Sequence, residues 1–235
     1  MLPPVILFDL DDTILDDTGG ASAAWEQACI DSGAPDGLYD AIRAAGAWFW
    51  SDPDRHRTGR ADLLAARRTI AATALGNLRL PDDGLSARIS YRLNELRDEA
   101  IAPLPGAIDT LDVLRDRGVR LGLLTNGSAR HQRWKIERFS LEAHFDYVGI
   151  EGEVGFGKPE PEAFLRALRA FSAEPGEAWM VGDNLVFDVG GAQAVGMHGV
   201  WVDLRKRGLP EAPGVLPARP RGATLPARAR RRRAR

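Results

Sequence analysis

The hydrophobic pattern of this chain changes character twice. Val5-Ile6-Leu7-Phe8 is an unbroken apolar run, so residues 4–9 are predicted as a strand buried on both faces. From residue 16 to about 100 the pattern turns helical, with Ala, Leu and Arg abundant and no β-branched run. A first helix is expected over 21–32, with breaks at Gly33-Ala34-Pro35, Asp52-Pro53, Gly59 and Pro81-Asp82-Asp83-Gly84. Asp16-Asp17, where the chain enters this block, suits either a helix cap or a hinge, and capping is the preferred reading.

After residue 103 short apolar runs return. Leu104-Pro105-Gly106 reads as a turn opening a helix that Gly118 ends. Strands are predicted over 119–124, 145–150, 178–182 and 199–202, separated by helices over 129–139, 161–171 and 186–195. Such alternation implies an α/β fold with a parallel sheet covered by helices. From residue 209 the periodicity stops. Leu209 to Arg235 is rich in Pro, Ala and Arg, and a disordered tail is expected. The division that follows is a core of 1–15 and 101–208, a helical block of 16–100, and a tail of 209–235.

Composition narrows the function classes. With 235 residues, 44% apolar and 27% charged, the chain can build one sizeable core or a core plus a smaller domain. Its one cysteine, Cys29, excludes an internal disulfide and sits in an apolar helical pattern, so it reads as a packing residue. No stretch has the length of a membrane span, and no basic region precedes the first strand, so a cytoplasmic protein without a secretory signal is expected. The net charge of −2 conceals eight arginines and no acid within 219–235, which leaves the rest at about −10. An acidic body argues against nucleic-acid binding and leaves room for a small phosphorylated ligand.

The candidate chemistry lies where predicted strands end, the ligand-binding edge of parallel sheets. Asp9-Leu10-Asp11-Asp12-Thr13 follows the first strand directly. Carboxylates placed there are costly unless a cation or a reaction needs them. Asp9 can attack phosphorus, and Asp11 can protonate a leaving oxygen and then deprotonate water. Thr125-Asn126 can donate a hydroxyl and backbone N–H groups to phosphoryl oxygens. Lys158, between Gly157 and Pro159, can neutralise nucleophile and phosphate. Asp183 and Asp188 supply carboxylates of the kind magnesium takes. Each signal is common by itself, as an acidic turn, a loop lysine or an acidic helix start.

Together and in order, Asp9-Leu10-Asp11-Asp12-Thr13, Thr125, Lys158-Pro159 and Gly182-Asp183 with Asp188 resemble the four motifs of the haloacid dehalogenase-like hydrolase superfamily, over residues 5 to about 203. The resemblance implies a Rossmann-like core with a helical cap inserted after the first motif. It implies Asp9 as nucleophile, Asp11 as acid/base, and Thr125 and Lys158 as phosphoryl binders. Magnesium would be held by Asp9, the Asp11 carbonyl and Asp183, with Asn184 lining its site and Asp188 supporting it. Asp11 points to the phosphatase branch, because the dehalogenases need no acid for a halide and lack this carboxylate.

The expected activity is magnesium-dependent hydrolysis of a small phosphorylated metabolite, a nucleotide or sugar phosphate, through an aspartyl phosphate. A phosphotransferase such as a sugar phosphomutase and a non-catalytic binding module are the alternatives. A monomer or homodimer with no membrane partner is expected. In the helical block, Trp48-Phe49-Trp50 followed by charges through Arg57 can grip a sugar or base, but reads better as core aromatics beside a solvated run. His56 is given no catalytic role.

Overall fold

The computed structural model describes residues 2–206 and 208, so the tail expectation for 209–235 lies outside the described residues. Strand β1, Val5–Phe8, is fully buried and lies at the middle of a five-stranded sheet. Its side chains alternate between two apolar layers: Ile6 and Phe8 join Leu121, Leu123 and Ile136 on one face, while Val5 and Leu7 join Phe164, Leu168 and Met180 on the other. Burial on both faces is why the run is continuous rather than alternating.

A two-residue strand β2, Leu15–Asp16, leads into five helices: α1 Ala21–Asp31, α2 Leu38–Ser51, α3 Pro53–Ala61, α4 Leu63–Asn77 and α5 Leu85–Ala100. These helices enclose an apolar core of their own, including Leu38, Ile42, Ile70, Leu75, Ile89 and Leu93. Strand β3, Ala102–Pro103, returns antiparallel to β2, pairing Leu15 with Pro103 and Asp16 with Ala102. Exit from the sheet and return to it therefore run side by side.

The remainder alternates as predicted. Helix α6, Ala107–Asp116, precedes β4, Arg120–Thr125; α7, Ala129–Arg138, precedes β5, Tyr147–Ile150. A single turn, α8, Glu151–Val154, is followed by α9, Pro161–Phe171, and β6, Ala178–Gly182. A π-helical turn, Leu185–Gly190, runs into α10, Gly191–Ala194, and β7, His198–Trp201, closes the series. The sheet order is β5-β4-β1-β6-β7, every pair parallel. The chain steps outward on one side of β1 and then on the other. This leaves a crevice at the carboxyl ends of β1, β4 and β6, where parallel sheets hold ligands. Among the described residues, no helix is long and apolar enough to cross a membrane.

Four local expectations need correction. Gly59 does not break a helix; it lies within α3, where a Cβ would meet Phe49 at 2.6 Å and Trp50 at 3.0 Å. Its lack of a side chain serves close packing. Asp16-Asp17 does not cap α1, whose N-cap Gly20 receives no side-chain bond. Asp12 instead accepts the N–H groups of Asp17 and Thr18, and Asp16 accepts Gly19 N–H at 2.8 Å. The strand expected from 145 begins at Tyr147, because Leu141–His144 forms a 3-10 turn that Phe145 closes. The helix expected over 186–195 starts as the π-helical turn, with Asp188 and Val189 N–H both directed at the Asn184 carbonyl.

Candidate active site

Two strand ends and the turn after β6 bring the carboxylates together. Phe8 pairs with Leu123 on one side and Val181 on the other, so the residues that follow emerge at one level. Asp9 N–H donates to the Val181 carbonyl at 2.9 Å, which carries the ladder one residue past β1 and aims the Asp9 side chain into the crevice. Asp183 follows β6, its carbonyl held by Trp201 Nε1 at 2.8 Å. Oxygens of Asp9, Asp183 and Asp188 lie within 4.8 Å of one another.

Lys158 is the cation among them. Its Nζ stands 2.7 Å from Asp9 Oδ1 and 2.6 Å from Asp188 Oδ1, with only 2% of its side chain exposed. One ammonium does not balance this many carboxylates. Burial pushes Asp9 well above the ordinary carboxylate range; Lys158 opposes the shift, and Asp188 and Asp11 add to it. Burial, then Asp188 and Asp12, push Asp183 up to about 7. Burial pulls the other way on Lys158, but Asp188 and Asp9 outweigh it and hold the ammonium above its usual range.

Asp188 belongs to this centre for a steric reason as well. A Cβ at Gly182 would collide with its carboxylate, and its Oδ2 accepts Asn184 N–H at 2.9 Å. Asn184 Oδ1 in turn accepts Val186 and Phe187 N–H at 3.0 and 2.9 Å, capping the π-helical turn. Asn126 acts as a clamp: its amide donates to the Lys158 carbonyl at 2.7 Å and accepts Lys158 N–H at 2.8 Å. Thr125, 2% exposed, ends β4 beside it and receives Gln132 Nε2 at 2.6 Å.

A cleft of about 280 Å³ is lined by Asp9, Asp11, Thr125, Lys158, Asp183 and Asp188 together with residues from the helical insert. Every residue named from the sequence for the site — Asn126 and Asn184 included — lines this one cleft. Sequence reasoning missed its neighbours. Arg60 reaches down from α3 to grip Glu151 with Nε at 2.8 Å and Nη2 at 2.6 Å. Glu151 Oε2 also accepts Gly127 N–H at 2.9 Å, next to Asn126. His56 lies 5.3 Å from the Phe187 ring, and burial followed by the Arg60 guanidinium lowers its imidazole below the usual range. Of the aromatic stretch, Phe49 is buried in the insert and Trp48 is half exposed under Arg55. Lys135 and Gln132, on α7, both reach Asp11. Nothing in the sequence marks Arg60 or Lys135 as site residues; the one local signal is that Gln132 and Lys135 stand three apart, on one helix face.

Comparison with known proteins agrees with this geometry. A family model described as haloacid dehalogenase-like hydrolase matches residues 3–196. A phosphoserine phosphatase of Thermus thermophilus is 38% identical, over 91% of this chain and 93% of its own length. A glyceraldehyde 3-phosphate phosphatase of Pyrococcus furiosus is 35% identical, over 84% of this chain and 79% of its own. The crystal structure of the HAD-hydrolase YfnB from Bacillus subtilis shares the fold with a TM-score of 0.71 at 22% identity, covering 92% of this chain and 93% of that one. Parallel sheet, ordered motifs and phosphatase relatives along nearly the whole length lead to one assignment: the chain belongs to the haloacid dehalogenase-like hydrolases and is a phosphatase acting on phosphoric monoesters.

Proposed function

We propose that the protein is a magnesium-dependent phosphatase that hydrolyses a small phosphorylated metabolite by way of a phosphate ester on Asp9. The observation that carries this reading is the crowding of Asp9, Asp183 and Asp188 around the single ammonium of Lys158. That arrangement is short of positive charge and lined by hard oxygen donors, which suits magnesium. Asp9, the Asp11 carbonyl and Asp183 would hold the ion, with Asp188 and Asn184 supporting it. When bound, the ion supplies charge stabilisation to the phosphoryl oxygens.

The residues of the chain then divide the work. An Asp9 carboxylate oxygen attacks phosphorus and the bond to the leaving oxygen breaks, while Asp11 gives that oxygen a proton. Asp11 then takes a proton from water as the water attacks the phosphoaspartate, releasing phosphate and restoring Asp9. Lys158 and the Thr125 hydroxyl face the phosphoryl oxygens, and Asn126 keeps Lys158 in place through its backbone.

The helical block of 16–100 acts as a cap on the core of 1–15 and 101–208. The cleft volume of about 280 Å³ sits at the low end for ligand pockets and suits a small metabolite. Arg60 and His56 from the cap face the part of the substrate beyond phosphorus.

The test is phosphate release with magnesium from a panel of monoesters: phosphoserine, glyceraldehyde 3-phosphate, nucleoside monophosphates and hexose phosphates. Turnover of at least one ester by the native protein and none by Asp9→Ala is expected. Equal turnover by Asp9→Ala would remove Asp9 from the role of nucleophile. Interconversion of hexose phosphate isomers without phosphate release would identify a mutase instead.

A further inference from the structure

Asp11 does not stand free in the cleft. Helix α7 follows β4 after a short turn and is capped by Ser128, which accepts His131 N–H. Gln132 and Lys135 are three residues apart, so both project from one face of it. That face meets Asp11. Lys135 Nζ donates to Asp11 Oδ1 at 2.7 Å, and Gln132 Nε2 lies 3.0 Å from Asp11 Oδ2. The two carboxylate oxygens therefore have separate donors on a single rigid element.

Each donor is itself fixed. Lys135 has 2% of its side chain exposed, and its ammonium also donates to Asp17 Oδ1 at 3.0 Å. Asp17 is held in turn by Arg97 of α5, which reaches Asp17 Oδ2 at 2.8 Å and the Asp17 carbonyl at 2.6 Å. Gln132 is 2% exposed. Its Nε2 lies 2.6 Å from Thr125 Oγ1 and 3.0 Å from the Asn126 carbonyl as well as facing Asp11. Two amide hydrogens among three acceptors tie the Asp11 carboxylate to the end of β4. A lysine and a glutamine buried this deeply, with no place in the proposed chemistry, need a reason to be there.

We infer that Gln132 and Lys135 are positioning residues for Asp11: they set the distance and direction of its carboxylate from the leaving oxygen. This inference rests on the acid/base role proposed for Asp11. A proton donor displaced by about an ångström loses much of its effect, and a positioned acid contributes roughly 10²- to 10⁴-fold. The benefit depends on the leaving group. An alkoxide needs the proton, whereas a nitrophenolate leaves without it.

The experiment compares kcat/KM for 4-nitrophenyl phosphate with that for the alkyl ester turned over fastest in the panel above, using the native protein, Lys135→Met, Gln132→Leu and Asp11→Asn. We expect Asp11→Asn to lose roughly 10²-fold more on the alkyl than on the aryl ester. Lys135→Met should lose about tenfold more on the alkyl ester, on the same reasoning. Gln132→Leu removes a neutral donor without baring a charge, so it gives the same reading if Lys135→Met does not fold. With Asp11→Asn selective, an equal loss on both esters for these variants, or a gain on the alkyl ester, overturns the inference and leaves them a structural role. If Asp11→Asn is itself unselective, the acid/base reading fails, and the positioning role fails with it.

Discussion

Lys158 and Lys135 are both buried ammonium groups set between carboxylates, each with 2% of its side chain exposed, yet their surroundings differ in charge balance. Lys158 faces Asp9 and Asp188 directly, with Asp183 beside them. Lys135 faces Asp11 and Asp17, and Arg97 adds a second cation on Asp17. The carboxylates record the difference. Burial raises Asp9 and Asp183 with too little cation to offset it. Burial of Asp17 is more than offset by Lys135 and then Arg97, and its pKa ends below the ordinary value. A buried group of carboxylates short of cations has room for an ion and a substrate. A balanced one is already complete and serves to hold geometry.

The comparison breaks most readily at its centre. Asp9→Asn should lower turnover on the order of 10⁴-fold or more, with an apoprotein melting temperature no lower than native, because one of three crowded carboxylates loses its charge. Phosphate release and calorimetry on the same sample check both halves. A clear loss of stability would show that the Asp9–Lys158 pair supports the fold.

Asp17→Asn should do the reverse to stability. It removes the charge that faces two buried cations, and breaking such a pair costs roughly 3 kcal/mol. Urea unfolding measures it, and a change within about 0.5 kcal/mol, the scale of ordinary surface substitutions, would mean that the network contributes no stability.

Magnesium should stabilise the protein more as the pH rises. Asp183 has an ordinary pKa of 3.8 and a folded value of about 7. Between these values the folded protein keeps a proton that the unfolded chain has released, so stability falls as pH rises through this window. An ion that replaces the proton therefore has most to offset above pH 7. The magnesium-induced rise in melting temperature is expected to be larger at pH 8 than at pH 5.5, and this dependence should flatten in Asp183→Asn. Asp17 has the opposite linkage. Its contribution is complete above the ordinary carboxylate range and is lost as pH falls through its lowered folded value.

Gly182→Ala should weaken magnesium binding by roughly tenfold, because the new methyl group displaces the Asp188 carboxylate. Calorimetric titration with the metal measures this directly. At the small end, Asp40→Asn should change unfolding free energy by less than about 0.5 kcal/mol, since Arg43 and Asp40 pair at 3.7 Å with both side chains largely in water.

Much of the site was legible because its residues lie directly after apolar strands. Asp9, Thr125 and Asp183 are placed by the ladder, and a five-stranded parallel sheet leaves few other positions for them. The cap side was hardly legible. Arg60 sits in a charged run whose neighbours Arg57 and Asp54 are largely exposed, and nothing local shows that it alone turns inward to Glu151. Asp16-Asp17 misled for a related reason. Acidic residues before a helix usually cap it, but here two cations from elsewhere in the chain draw Asp17 away.

By itself the amino-acid order determined the alternation of strands and helices, the helical block after the first strand, and which carboxylates stand at strand ends. These are local consequences of apolar periodicity and of turn chemistry. The tertiary structure decided which charges meet: Lys158 with Asp9 and Asp188, Lys135 with Asp11 and Asp17, Arg60 with Glu151. Those pairings join residues from 30 to 149 positions apart along the chain. Electrostatic energy depends on distance and burial in space, and neither is written in the spacing of a sequence.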